Sequence, residues 1–310
     1  MDPYIKDLSF VIQNCEMENT YKMVWIRSIV ENCVLNPEQE IIHFDQLSPR
    51  IFGYYWNQTI FFDLEQGPNL SKRPEIHQIV IEEVSKYRDQ FGHQPIFFSQ
   101  IEDKIGIPIS SVSSTLTKDV CWRFLKVGKV VFDLYDLDRQ RRKIEIRRPD
   151  LICDYSDILF DLINYRWTQK LEEFNTSPRI SKKVKGTDRE KIRRKPLTKF
   201  RRYLDLENPD RLCFTTGVPI GDENLSIDHV IPWSYMFSDD LWNLVYVNKN
   251  ENSSKGNRIP DEKMIQRLED RNKRLLSAIA DRPLSDKHVE ELKLAIEKDY
   301  VRKNWVGFKG

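Results

Sequence analysis

No run of roughly 18 apolar residues, the minimum for a membrane-spanning helix, occurs anywhere in the 310 residues. The amino terminus, MDPYIKDLSF, has no basic stretch leading into an apolar one, the order a secretory leader requires. Both absences predict a soluble, cytoplasmic protein with no membrane partner. The five cysteines, Cys15, Cys33, Cys121, Cys153 and Cys213, show no paired spacing, which excludes a disulfide scaffold and fits free thiols in a reducing compartment. There are no internal repeats, and no low-complexity tract outside one basic segment. What is present suffices for real cores: 40% hydrophobic and 11% aromatic residues, in a length that suggests two or three domains.

The net charge of +1 conceals a strong asymmetry. Residues 1–100 hold 14 acidic against 8 basic side chains, a poor surface for nucleic acid. Residues 178–203 hold 12 basic against 2 acidic. Each phosphate neutralised by such a segment releases counterions, so it is expected to contact double-stranded DNA through Lys182, Lys183, Lys185, Arg193, Arg194, Lys195, Arg201 and Arg202. Contacts of that kind position a duplex and carry little base information. With Pro178, Gly186 and Pro196 the segment is expected to be extended or loosely ordered until DNA is bound; the alternative is a solvated linker.

The stretch 212–260, LCFTTGVPIGDENLSIDHVIPWSYMFSDDLWNLVYVNKNENSSKGNRIP, carries the chemistry. Leu225–Ile231 is a short β-prone run stopped by Pro232, which cannot donate to a ladder. Leu241–Val247 can pair back on it, and Asn248–Lys255 is rich enough in capping residues for a short helix or helical turn. The pattern predicts a ββα unit with Asp228 and His229 on the first strand and Asn252 facing them. Phosphodiester cleavage needs a deprotonated water, an electrophilic charge on the phosphate and stabilisation of the leaving oxygen. A neutral imidazole titrates in the range to take the water's proton. Asp228 and the Asn252 side-chain oxygen are hard ligands suited to Mg²⁺ or Mn²⁺, and Mg²⁺ asks for only one or two protein donors. The bland alternative is a β-hairpin with a half-buried histidine and turn-forming asparagines.

These residues resemble the HNH (ββα-metal) endonucleases, most closely the HNH domain of the CRISPR RNA-guided nucleases. The matching pieces are Phe214-Thr215-Thr216-Gly217, Asp228-His229, Pro232-Trp233-Ser234, Asp239-Asp240, Asn243 and Asn252-Ser253-Ser254-Lys255-Gly256. The resemblance implies His229 as general base, Asp228 and Asn252 as metal ligands, Asn243 as the residue bracing the loop and orienting His229, and Lys255 near the phosphate. Many members fold this motif around a zinc held by two Cys-x-x-Cys pairs. Here Cys213 stands alone, so no structural zinc is expected and packing must hold the site.

Along the rest of the chain, helical spacing predicts helices over Thr20–Val34, near Phe44–Trp56 and from Pro74 to Gly92, composing a regulatory or specificity domain over 1–100. A mixed region over 101–177 is expected to hold a helix at Ser110–Leu125, a β-hairpin of Lys129–Tyr135 with Arg142–Arg147, and a helix at Ser156–Phe174. The arginines along that hairpin, from Arg139 to Arg148, suit a winged-helix-like DNA contact or, equally, a solvated strand face. The basic segment spans 178–204, and a nuclease domain over 205–310 ends in buttressing helices at Met264–Ile279 and from Ser285. The fold class expected is α+β. The function expected is metal-dependent DNA hydrolysis in restriction or anti-phage defence, with a homodimer if both strands are cut. The alternatives are an effector gated by something bound to the N-terminal domain, or a non-catalytic nucleic-acid-binding module.

Overall fold

The computed structural model describes residues 2–185, 196–249, 260–280 and 286–309. The fold is α+β and mostly helical. It divides into two compact units, one of 2–175 with the helix Ile180–Lys185, the other of Thr176–Arg179 with the described chain from Pro196 onward. Among the described residues no helix is long and apolar enough to cross a membrane.

In the first unit, α1 (Pro3–Asn14) starts at Asp2, whose carboxylate accepts from the Tyr4 amide at 2.8 Å. Helix α2 (Tyr21–Leu35) is buried almost all round, because α3 (Phe44–Phe62) and the later helix Ser156–Phe174 both pack on it. Trp25, Trp56 and Trp167 are fully buried at the heart of this core. Strand β1 (Ile41–His43) runs directly into α3, and α4 (Glu75–Phe91) follows from Pro74. Helix α5 (Ile109–Thr115) continues through a π turn, Leu116–Val120, to Arg123.

The expected hairpin forms with its first strand displaced. β2 (Lys126–Val127) and β3 (Val130–Val131) close on each other at Gly128, whose φ of +58° suits glycine, and it is β4 (Tyr135–Asp138) that pairs with β5 (Lys143–Ile146). Tyr135 sets that register: its hydroxyl donates to the Cys121 carbonyl at 2.5 Å and accepts from Trp25 Nε1 at 3.1 Å. β5 also pairs with β1, Ile42 opposite Ile144, giving the sheet order β1-β5-β4. The regions expected over 1–100 and 101–177 lie, as far as Asn175, in one compact unit. Backbone pairing across a hundred residues joins them. Helices α6 (Pro149–Asp154), α7 (Ser156–Phe174) and α8 (Ile180–Lys185) complete it. The start of the basic segment is thus helical rather than extended, because Ile180 and Val184, one turn apart, are both buried.

In the second unit a 3₁₀ turn, Leu197–Phe200, leads into α9 (Arg201–Glu207). Strands β6 (Leu225–His229) and β7 (Leu244–Asn248) form an antiparallel pair with His229 opposite Leu244. Between them lies α10 (Trp233–Met236). β7 begins later than expected because Leu241–Asn243 form a 3₁₀ turn. The helices α11 (Glu262–Ala280), α12 (Lys287–Glu297) and α13 (Tyr300–Lys309) supply the buttress. Asp286, not Ser285, caps α12, accepting from the His288 and Val289 amides at 2.9 and 3.3 Å. The helical turn expected up to Lys255 falls largely outside the described residues.

Candidate active site

The site grows from a turn and a strand end. Cys213–Val218 closes through the Gly217 amide on the Cys213 carbonyl at 2.7 Å, with Gly217 at φ +73°, a conformation that strains any residue with a Cβ. The Phe214 amide donates to the Tyr246 carbonyl at 2.8 Å, which lays this turn along β7. Cys213 is buried in the hydrophobic cluster of the second unit.

Beyond β6 the backbone is held by one side chain. Asn243 accepts from the Ile231 amide through Oδ1 and donates to the Ile231 carbonyl through Nδ2, both at 2.8 Å, while its own carbonyl accepts from Val230 at 2.9 Å. Both amide ends are used and the residue is fully buried. His229, 4% exposed, lies immediately before that braced dipeptide, and its Nε2 is 3.1 Å from Asp239 Oδ1. That distance puts the imidazole and the carboxylate within hydrogen-bond reach of each other. Asp228 precedes His229 on β6, opposite Val245 in register and half-buried. Successive strand residues point to opposite faces, which accounts for the difference in burial. Asp240 takes Ser238 Oγ at 2.5 Å and Arg179 Nη1 at 3.6 Å, and its carbonyl accepts from the Asn243 amide at 2.9 Å.

The family model of the HNH endonucleases matches residues 213–261. This segment belongs to that family. The match takes in the turn, both strands of the β6–β7 hairpin, the Asp-His pair and Asn243, and supports nuclease activity of the HNH type with a nucleic-acid substrate. No curated protein and no solved structure matches the chain.

Of the residues singled out from the sequence, His229 and Asn243 come together in the HNH segment through the Val230–Ile231 backbone, with Asp228 adjacent on the strand. Asn252, Lys255, Arg193, Arg194 and Lys195 lie outside the described residues. Lys182 is exposed on α8, whereas Lys183 is not a surface cation at all. It is 0% exposed, with Nζ 5.6 Å from the centre of the Phe62 ring, because a helix that buries Ile180 and Val184 turns the residue beside Val184 inward too. Arg201 is exposed on α9; Arg202 pairs with Asp286 at 2.5 Å and lies over the Tyr203 ring. Asp239 entered the sequence reading only as part of an acidic pair, since nothing in one dimension shows that a residue ten positions on meets His229. Among the described residues no cluster of three or more His, Cys, Asp or Glu is placed to hold a metal. The donor chemistry on hand is the Asp228 carboxylate, a hard oxygen that fits Mg²⁺, an ion that keeps most of its shell as water and phosphate oxygens.

Proposed function

We propose that the protein is a metal-dependent HNH endonuclease that hydrolyses DNA phosphodiester bonds. The observation that carries this reading is His229, tied through Nε2 to Asp239 and seated by Asn243 at the end of β6 inside the HNH segment. His229 takes a proton from the attacking water, and Asp239 beside it stabilises the imidazolium that forms. Asn243 keeps the ring at a fixed height above the strand end by fixing the backbone that follows it. Asp228, with Asn252, would hold a divalent ion, Mg²⁺ or Mn²⁺, whose positive charge favours the phosphorane-like transition state and the departing oxygen. Lys255 would sit beside the phosphate.

DNA contact extends over other surfaces. In the first unit β1 feeds α3, α5 precedes the β4–β5 hairpin, and the sheet order is β1-β5-β4, an arrangement that supports a winged-helix-like docking element. Arg139 of the hairpin turn donates to the Thr117 and Lys118 carbonyls of the π turn after α5 at 3.2 and 3.1 Å, which anchors the hairpin to the helix, and Arg141, 77% exposed, lies 3.8 Å from Asp138. Arg147 and Arg148 are committed to Asp133, Asp136 and Asp150, and Arg139 to the helix, so the wing contact rests on Arg141 and Arg142. Lys182, Arg201 and the segment around Arg193–Lys195 add phosphate contacts. A role in restriction or anti-phage defence suits a small HNH nuclease of this kind, and cleavage of both strands would call for a homodimer, since one such site cuts one strand per engagement.

Supercoiled plasmid incubated with the protein and Mg²⁺, or with EDTA, beside His229→Ala, tests the reading. Mg²⁺-dependent nicking or fragments absent from the variant support it. Cleavage that survives His229→Ala or EDTA overturns the assigned chemistry, and no cleavage by the unmodified chain shifts the reading to a gated effector or a binding module.

A further inference from the structure

The backbone that presents Asn243 is itself gripped by two adjacent side chains of α11. Arg271, 2% exposed, donates from Nη1 to the Leu241 carbonyl at 3.1 Å and from Nη2 to the Leu244 carbonyl. Its Nη1 also donates to Asn272 Oδ1 at 2.6 Å, and Asn272 Nδ2 donates to the Trp242 carbonyl at 2.9 Å. With the Asn243 carbonyl accepting from Val230, four consecutive carbonyls, 241 to 244, are each engaged. This is an expensive way to secure a turn. Burial pulls the guanidinium down to about 10, with the Glu207 carboxylate 3.9 Å away opposing the shift. It therefore stays charged at neutral pH in a core where, Asn272 apart, the buried residues of α11 are the apolar Ile265, Leu268, Leu275 and Ile279. An apolar residue of similar size would avoid the desolvation cost but leave the Leu241 and Leu244 carbonyls without a donor. The fork gives the Leu241 and Leu244 carbonyls their donors and, in doing so, fixes where the 241–244 backbone lies.

We infer that Arg271 and Asn272 are positioning residues of the nuclease site: they fix the 241–244 segment so that Asn243 holds Val230–Ile231, and through it His229, at a set distance from Asp239. The inference rests on the proposed nuclease reading for its consequence in catalysis, but its geometric content can be tested apart from it. Neither residue touches the reacting groups.

The test combines steady-state plasmid cleavage with amide hydrogen exchange. Arg271→Met keeps the volume and removes the fork. Its kcat is expected to fall about 10–100-fold, the range typical for loss of a group that orients a site, with KM for DNA changed by no more than about twofold. Arg271→Lys, able to reach one carbonyl, recovers part of that loss. In the same variants the Val230 and Ile231 amides should exchange on the order of tenfold faster while amides of Leu275–Ile279 keep their protection. Unchanged kcat, unchanged exchange at Val230 and Ile231, or protection lost equally throughout α11 would overturn the inference, the last showing a purely structural role. Should Arg271→Met fail to fold, Asn272→Ala, which keeps the guanidinium but removes both the donor to the Trp242 carbonyl and the acceptor of Arg271 Nη1, is expected to show the same pattern with a smaller loss. If the unmodified protein cuts no DNA, the nuclease reading fails, and the exchange comparison still decides whether the clamp exists.

Discussion

His77 in the first unit and His229 in the second are both buried, at 1% and 4% exposure, yet their surroundings differ in kind. His77 lies on α4 against the Tyr55 ring, centroids 6.2 Å apart, and its Nδ1 has no hydrogen-bond partner among the described residues. The nearest carboxylate, Glu65 at 3.7 Å, is already engaged by Arg73 at 2.6 Å. Burial therefore dominates and pulls the imidazole down from 6.5 to about 4. His229 instead has a carboxylate within hydrogen-bond reach and a backbone braced on its far side. Burial leaves the His77 Nδ1 without a hydrogen-bond partner among the described residues and sets His229 against one; the neighbouring carboxylate makes the difference.

The largest separation between the two should appear on substitution. His229→Ala is expected to reduce plasmid cleavage about 10²–10⁴-fold, the usual contribution of a positioned base, with DNA binding retained in a gel-shift measurement. His77→Gln should leave the cleavage rate at neutral pH within about twofold. Equal losses from both would abolish the distinction. Next in size, Asn243→Ala leaves the buried Ile231 amide and carbonyl unpaired, and chemical denaturation should show a loss of about 3 kcal/mol, at one to three per orphaned group.

Comparable in size, but only in acid, is the contribution of His77. Between pH 6.5 and about 4 the unfolded chain binds a proton at this imidazole that the folded chain refuses, so stability falls as pH drops through that window and is unaffected above it. The expected loss is about 3 kcal/mol from pH 7 to pH 4, read by urea denaturation and largely removed in His77→Gln. The smallest effects sharpen the contrast within the basic segment. Lys182→Ala should lower the salt dependence of DNA binding by about one counterion without altering stability. Lys183→Ala should leave the salt slope intact and destabilise the first unit by about 1 kcal/mol, through lost contact of its stem and ammonium with Phe62.

The helices were legible wherever one face is apolar and the other polar: Glu75–Phe91, Ser156–Phe174 and Glu262–Ala280 stand where their spacing places them. Less legible were contacts made across long sequence distances. Nothing local marks Ile41–His43 as a strand, because three residues become one only by pairing with Lys143–Ile146. Lys183 reads as a phosphate ligand beside other lysines, and only packing reveals that it points into a core. A signal for the α11 clamp did exist: Asn272 occupies an inward position in the run Ile265, Leu268, Leu275, Ile279, and a polar residue on such a seam asks for a buried partner.

By itself the sequence determined the family of the segment over residues 213–261. A turn with Gly217, a β-prone run ending in Asp228-His229 and a following Asn243 define an HNH segment, because residue type and short-range order are enough to specify a strand, a turn and the groups they carry. Tertiary structure alone decided which acceptor faces His229, that Asn243 grips the Ile231 backbone from both sides, and that a charged side chain from α11 donates to the Leu241 and Leu244 carbonyls on either side of Asn243. Those are meetings between residues ten to thirty positions apart, and their partners are chosen by which buried donors and acceptors would otherwise be left unpaired.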